Sequence, residues 1–131
     1  GLSYGAISMS ALSGMELRAW NSIVYHNADW DLALPVGSYT NALYVSFTNC
    51  CVTNEVAGSG NITNPPVFAD VAGRDFRLSR GSPCINAGVN QDWMSGAADL
   101  DGGPRIDAGS ELVDMGCYEF AFPGGTLILT R

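Results

Sequence analysis

Residues 81–88 read GSPCINAG, residues 99–105 read DLDGGPR, and residues 113–120 read VDMGCYEF. Each motif combines glycine, which accepts turn conformations that other residues avoid, with proline or aspartate, which favour turns. Proline also restricts the backbone of the residue before it. The three motifs therefore predict chain reversals around short strands in the last third of the chain.

Hydrophobic residues recur at a fixed spacing before these motifs. The recurring positions, 22 residues apart, are Ile23, Val45 and Val67, followed two residues later by Tyr25, Phe47 and Ala69. A period in the twenties is typical of solenoids, in which successive coils stack their apolar faces. Asn27 and Asn49 recur at the same spacing, and asparagine favours left-handed turns, so we expect a ladder of stacked asparagines.

Local patterns agree with strands joined by turns. Alternating or β-branched runs at residues 22–25 and 44–48 predict strands, and a third strand is expected at residues 67–69 after a pair of prolines. The GSGN run at residues 58–61 predicts a turn. Helical periodicity is weak throughout, and only residues 13–19 favour a short helical turn.

The charge of the chain excludes two classes of partner. The 131 residues carry a net charge of −7, and all six basic residues are arginines. Nucleic acids and anionic membrane surfaces both attract clustered cations, so neither is an expected partner. No apolar segment is long enough to span a bilayer, so membrane insertion is not expected.

Taken in order, the three motifs resemble the C-terminal region of secreted bacterial right-handed parallel β-helix (pectate-lyase-like) proteins, in particular the choice-of-anchor β-helix proteins. The resemblance covers roughly residues 21–120. It implies an all-β chain that forms a right-handed parallel β-helix (solenoid) segment with a C-terminal cap. It also implies an extracellular or cell-surface location in a bacterium.

The resemblance and the repeat divide the chain into four expected parts. Residues 1–20 are a partial coil or an N-terminal cap, and residues 21–80 form the β-helix coils. Residues 81–122 are the capping region, and residues 123–131 are a linker or the start of a following segment. The absence of an initial methionine favours a piece of a longer protein.

Four cysteines, Cys50, Cys51, Cys84 and Cys117, allow three disulfide pairings. Neighbouring residues of a strand face opposite sides, so we expect one of Cys50 and Cys51 to point into the core and the other outward. The favoured interpretation is that the cysteines are buried thiols that act as small apolar residues. A disulfide between Cys84 and one of the others, Cys117 included, is the alternative.

The DLDGGPR motif suggests two roles for its carboxylates. Asp99 and Asp101 are a candidate calcium site, because calcium prefers several carboxylate and carbonyl oxygens in a tight loop. The favoured alternative is a structural turn in which the carboxylates pair with Arg105 and accept hydrogen bonds from backbone N–H groups. Gly103 stands where the resembled proteins usually have asparagine or glutamine, which removes one oxygen ligand. Apart from this calcium candidate, no cofactor is expected.

The VDMGCYEF motif predicts a last short strand. Alternation along that strand would face Met115 and Cys117 into the core. Glu119 is expected either to pair with Arg105 or Arg77 or to remain solvated.

Two tryptophans and two arginines are candidate glycan-binding residues. Trp30 and Trp93 lie in polar loops beside aspartates, and an exposed indole near carboxylates is suited to stacking on a pyranose ring. Arg74 and Arg77 alternate with apolar residues and are candidates for contacts with an acidic sugar. The competing interpretations are loop anchoring for the tryptophans and a solvated face for the arginines.

No catalytic residues are assigned. The chain has no lysine, one of the bases that lyases use, and it lacks the carboxylate strings typical of β-helix hydrolases. We therefore expect a non-catalytic terminal portion of a secreted or cell-surface β-helix protein, with a structural or interaction role that involves polysaccharide or a surface glycan. The alternatives are a fragment of a polysaccharide lyase or glycoside hydrolase and a stand-alone glycan-binding module. Self-association through the open first coil is the other expected contact.

Overall fold

The computed structural model describes residues 5–8, 15–27, 30–33 and 43–122. Regular structure in that part is almost entirely strand, with one short 3-10 helix, so the prediction of an all-β chain is confirmed. The chain divides into two compact units, residues 1–66 and 67–131. None of the helical structure described is long and apolar enough to cross a membrane.

The described part of the first unit consists of short strands. They are β1 (Gly5–Ser8), β2 (Met15–Trp20), β3 (Ile23–Val24), β4 (Trp30–Ala33), β5 (Leu43–Thr48), β6 (Cys51–Val52) and β7 (Gly58–Ser59). Every pairing among them is parallel: β1 with β4, β2 with β5, β5 with β7, and β3 with β6. Successive segments of the chain therefore return to lie beside their predecessors in the same direction.

Neighbouring pairs share the same offset along the chain. Met15 pairs with Leu43, and the offset of 28 residues is the same for β3 and β6. The next return is shorter, since β5 pairs with β7, and Cys51 with Ile62, at an offset of 11 residues. A block made of two neighbouring strands and the corner between them, first β2 and β3 and then β5 and β6, is thus repeated along the chain.

The predicted 22-residue spacing is wrong. The observed partners are Leu17 for Val45, Cys51 for Ile23, and Ala19 for Phe47. Val67 and Ala69 fall in the second unit, where the strand pairing is antiparallel. A search for a constant period fails here because the segments between the strands differ in length from one return to the next.

The corners of the first unit carry residues with left-handed backbone. Asn21, Asn49 and Gly60 occupy equivalent positions after β2, β5 and β7, with φ angles of 50°, 51° and 70°. The Asn21 N–H donates to the carbonyl of Thr48 and the Asn49 N–H to that of Ser59, at 3.1 and 2.9 Å. The predicted asparagine ladder therefore has one wrong member, since Asn21, not Asn27, is the counterpart of Asn49.

Two local predictions in the first unit are also wrong. Residues 13–19 were expected to favour a helical turn, but Met15–Trp20 is a strand. The predicted turn at residues 58–61 is strand β7 followed by the corner at Gly60. A Cβ atom at Gly58 would lie 1.7 Å from the backbone oxygen of Phe47, so a glycine is required for this close parallel approach.

The core of the first unit is a cluster of apolar side chains, of which Phe47 is the largest. Its buried members are Val24, Val45, Phe47, Cys50 and Val52. Cys50 and Cys51 are both fully buried, which contradicts the prediction that one faces outward. Cys50 lies in the corner after Asn49 and Cys51 begins β6, so strand alternation does not relate the two side chains.

None of the four cysteines forms a disulfide, so the alternative of a bridge from Cys84 is wrong. Cys50, Cys51 and Cys84 are buried thiols, as the favoured interpretation predicted. Cys117 is exposed, which contradicts its predicted inward position. Burial raises the pKa of the Cys50 thiol, because an apolar environment disfavours the thiolate.

The second unit has little regular structure. Strands β8 (Phe68–Asp70) and β9 (Asp75–Leu78) pair in antiparallel orientation, and a 3-10 helix spans Asp92–Met94. The three motifs are built of turns and bends, and the strands predicted within them are not formed. The buried apolar residues of this unit are Leu78, Cys84, Met94, Val113 and Met115.

Candidate functional site

A pocket of about 330 Å³ opens at the surface of the second unit. Its lining residues are Trp93, Ala98, Asp99, Leu100, Arg105, Gly116 and Cys117. They come from three segments: the 3-10 helix, the loop of residues 97–105, and the closing segment of residues 113–120. Two of the three sequence motifs, DLDGGPR and VDMGCYEF, therefore meet at this pocket.

The 3-10 helix presents Trp93 to the pocket. Met94 is only 2% exposed and anchors this turn in the core, whereas Trp93 is 62% exposed. The indole Nε1–H donates to the Gln91 side-chain oxygen at 2.5 Å, and the Met94 N–H donates to the Gln91 carbonyl at 2.9 Å. The indole is thus oriented by its own turn and leaves much of its surface in water.

Asp99 organises the loop that forms one wall of the pocket. Its Oδ1 accepts the N–H groups of Asp101 and Gly103 at 3.0 and 2.9 Å, and its Oδ2 accepts the N–H of Glu119 at 2.8 Å. The predicted capping of backbone N–H groups is confirmed for this carboxylate. Leu100, between the two aspartates, is left 67% exposed, and its N–H donates to the carbonyl of Cys117 at 3.0 Å.

Arg105 joins the pocket to the interior of the unit. Its side chain and that of Glu119 are each 8% exposed, and Arg105 Nη1 lies 2.7 Å from Glu119 Oε1. This contact is an ion pair without aligned hydrogen-bond geometry. Arg105 Nη2 donates to the carbonyl of Gly116 at 2.7 Å. Of the expectations for Glu119, pairing with Arg105 is confirmed.

Asp114 is a second buried carboxylate next to the Arg105–Glu119 pair. Asp114 Oδ1 accepts the N–H of Asn86 at 2.7 Å, and Oδ2 accepts that of Phe120 at 2.6 Å. Burial raises the pKa of Asp114, and it raises the pKa of Glu119 to about 7, with the nearby Asp114 charge acting in the same direction. The charge of one guanidinium, that of Arg105, acts on both buried carboxylates and opposes the rise in their pKa values.

Arg77 and Asp101 neutralise each other. Arg77 Nε and Nη2 contact the two oxygens of Asp101, both at 2.8 Å, and Nη1 contacts Asp75 Oδ1 at 3.0 Å. These hydrogen bonds lower the pKa of Asp101 and raise that of Arg77. The Arg77 guanidinium also lies 5.1 Å from the centroid of the Tyr118 ring. The prediction that Asp101 pairs with Arg105 is therefore wrong.

These contacts use the oxygen atoms that the calcium hypothesis needs. Three N–H groups already point at the carboxylate of Asp99, and Asp101 is held by a guanidinium. The described residues contain no group of three or more histidine, cysteine or acidic side chains arranged around one point. The local geometry therefore favours the structural turn.

The structure brings together only some of the predicted site residues. Trp93 and Asp99 share the pocket, whereas Arg77 and Asp101 form their own pair outside its lining. Arg74 lies exposed in the turn between β8 and β9, with a left-handed φ of 60°. Trp30 begins strand β4, and its side chain lies outside the described part of the structure.

Five lining residues were not among the predicted site residues: Ala98, Leu100, Arg105, Gly116 and Cys117. For Leu100 a signal existed, because an apolar residue between two turn-forming aspartates has little local surface to pack against. Arg105 was assigned only a structural role. No protein-family model, curated protein or solved structure matches the chain.

Proposed function

We propose that the chain is a non-catalytic terminal portion of a right-handed parallel β-helix protein, secreted or displayed on a bacterial cell surface. The observation that carries this proposal is the common offset of neighbouring parallel pairs in the first unit. A chain that returns in parallel, with the same corner each time, follows the path of a solenoid. The right hand follows from the general preference of parallel crossovers.

The resemblance of the three motifs supports the terminal placement and the extracellular location. In the first unit, β2 and β3 each have a paired neighbour on one side only among the described residues. Unpaired strand edges accept further strands, which supports self-association through the first coil as part of the proposal.

The pocket supports an interaction role that involves glycans. An indole that is 62% exposed and lines a concavity is suited to stacking on a sugar ring. This observation favours the glycan-binding alternative as a second candidate function. Catalysis has no comparable support, because Asp99, Asp101 and Asp114 are committed to backbone N–H groups or to Arg77.

The path of the chain is tested by cross-linking. Arg18 and Ser46 are register partners, so the double variant Arg18→Cys/Ser46→Cys, in a Cys117→Ser background, is expected to form a disulfide. The control, Arg18→Cys with Thr48→Cys, is two residues out of register and is expected to remain largely reduced. Equal cross-linking of both pairs would overturn the proposed stacking.

The non-catalytic role is tested separately on a panel of neutral and acidic polysaccharides. We expect neither reducing-sugar release nor the absorbance of unsaturated products. Turnover of any of these polysaccharides would overturn the proposal, and turnover that survives in a Trp93→Ala variant would place the chemistry outside the pocket.

A further inference from the structure

The pocket gathers the most exposed large apolar side chains of the described residues. Leu100 is 67% exposed and Trp93 is 62% exposed, and both line this one concavity. Exposed apolar residues that are scattered singly need no explanation, but their convergence on a pocket marks a binding site. A volume of about 330 Å³ lies at the lower end of small-ligand sites, which suits one ring rather than an extended chain.

The charge around the pocket is not positive. Among the described residues that line it, Arg105 is the only basic one, and that guanidinium is paired with Glu119 and bonded to the carbonyl of Gly116. Asp99 is itself a lining residue, and Asp114 lies behind the Arg105–Glu119 pair. In the part of the chain that the structure describes, a carboxylate on a ligand would therefore meet no uncommitted cation at this pocket and would be repelled by nearby acidic groups.

The two arginines predicted to contact an acidic sugar do not line the pocket. Arg77 is held by Asp101 and Asp75, and Arg74 lies in the turn between β8 and β9. Recognition at the pocket must rely on apolar and aromatic contact, which the faces of an uncharged sugar ring supply.

We propose that this pocket binds an uncharged pyranose ring, stacked on Trp93, and discriminates against uronic acids. This inference rests on the proposed glycan role of the same site and adds the chemical class of the ligand. It also separates the protein from the acidic polysaccharides that a pectate-lyase-like resemblance would suggest.

The test compares matched sugars that differ only in oxidation at C6. Oligosaccharides of glucose and galactose are titrated against the corresponding glucuronate and galacturonate oligomers, with Trp fluorescence and calorimetry as readouts. We expect a neutral oligomer to bind at least tenfold more tightly than its acidic counterpart, with little change between low and high salt. Trp93→Ala should reduce that affinity at least tenfold, whereas Trp20→Ala, which removes an exposed indole of the first unit, should not.

The outcomes separate the inference from the proposed function. Tighter binding of a uronate at Trp93 would overturn the inference and leave the glycan role standing. If none of the four oligomers binds, or if binding persists in Trp93→Ala, both the inference and the glycan role of this pocket are wrong.

A charge variant at the pocket sharpens the test without touching the buried pair. Leu100→Arg places a cation on an exposed lining residue, and Leu100→Gln is the uncharged control. We expect the arginine variant to gain at least fivefold in uronate affinity over the glutamine variant, with equal affinity for the neutral oligomer. Equal uronate binding by the two variants would show that charge does not control selection here.

Cys117 provides an independent readout of occupancy, because its thiol is exposed and lines the pocket. A bound neutral oligomer is expected to slow alkylation of Cys117 by iodoacetamide at least threefold. The buried Cys84 serves as the internal control for global unfolding. Unchanged alkylation of Cys117 at saturating sugar would place the bound ring outside this pocket.

Discussion

Each of the two units is stabilised internally by a different kind of hydrogen bond. In the first unit, backbone groups of one strand pair with those of the strand beside it, from β2 to β5 and on to β7. In the second unit, side-chain carboxylates supplement the short antiparallel pair of β8 and β9. Those that accept backbone N–H groups there include Asp70, Asp99, Asp107 and Asp114.

The two units therefore differ in how strongly their stability depends on particular residues. A backbone ladder accepts many side chains, provided that the inward face is apolar and the corner residues tolerate a left-handed backbone. A loop organised by one carboxylate loses several hydrogen bonds when that residue changes. We therefore expect single polar substitutions to be most harmful in the second unit, and the following tests address that contrast.

The largest expected effect is the loss of the buried ion pair. At about pH 8, where the Glu119 carboxyl is ionised, Arg105→Ala leaves it buried without its cation and removes the donor to the Gly116 carbonyl, and it should lower the free energy of unfolding by about 3–5 kcal/mol. Arg77→Ala is the control, because its ion pairs are exposed, and it should change stability little. Urea unfolding measures the free energy of unfolding of both variants. Similar losses in the two variants would remove the distinction between the buried and the exposed pair.

A somewhat smaller effect is expected at Asp99. Asp99→Ala removes the acceptor of three backbone N–H groups and should cost about 2–4 kcal/mol. Asp99→Asn keeps a side-chain oxygen and should cost less. Hydrogen exchange followed by mass spectrometry should show faster exchange in residues 97–120 and an unchanged rate in residues 43–62. Faster exchange in both segments would mean that the units do not respond separately.

The pH dependence of stability should also arise in the second unit. The pKa of Glu119 is raised from its ordinary 4.5 to about 7, so the folded state keeps a proton that the unfolded state has released. Stability should therefore be greatest below about pH 4.5 for this group and should fall as the pH rises through about 7. Glu119→Gln should flatten the profile of unfolding free energy over this range. An unchanged profile would assign the dependence to other groups, such as Asp114, whose pKa is shifted in the same direction.

The smallest effect is expected at a corner of the first unit. Asn49 has a φ of 51°, which disfavours a residue with a Cβ and no compensating polar group. Asn49→Ala should cost about 1–2 kcal/mol, and Asn49→Gly should cost less, because glycine accepts this φ without strain. Thermal unfolding compares the pair. An alanine variant as stable as the glycine variant would show that the left-handed corner is not a constraint.

Several features were readable from short stretches of sequence. The turn at Asp99, the buried Met115 and the pairing of Glu119 with Arg105 were all among the expectations. Each depends on residues close together in the chain or on one strong chemical preference. The exposure of Trp93 agrees with the glycan-platform interpretation of its polar neighbours, whereas loop anchoring was the favoured interpretation and the pocket was not expected.

Other features depended on distances that no local pattern records. The register of Val45 with Leu17, and the choice of Arg77 as the partner of Asp101, are set by where the chain returns after connections of unequal length. The burial of both Cys50 and Cys51 follows from a corner between them and the preceding strand. A periodicity search assumes equal returns, so it placed the stacked residues in the wrong register.

The sequence by itself determined the all-β character, the positions of the three turn motifs in the second unit, and the role of the Asp99 carboxylate in accepting backbone N–H groups in one of them. These follow from intrinsic backbone preferences, which act over a few residues. Only the tertiary structure decided which strands lie side by side, which arginine neutralises which acid, and that Trp93, Leu100 and Cys117 line one pocket. Those relations require segments distant in the chain to meet, and the meeting points depend on packing and loop closure across the whole unit.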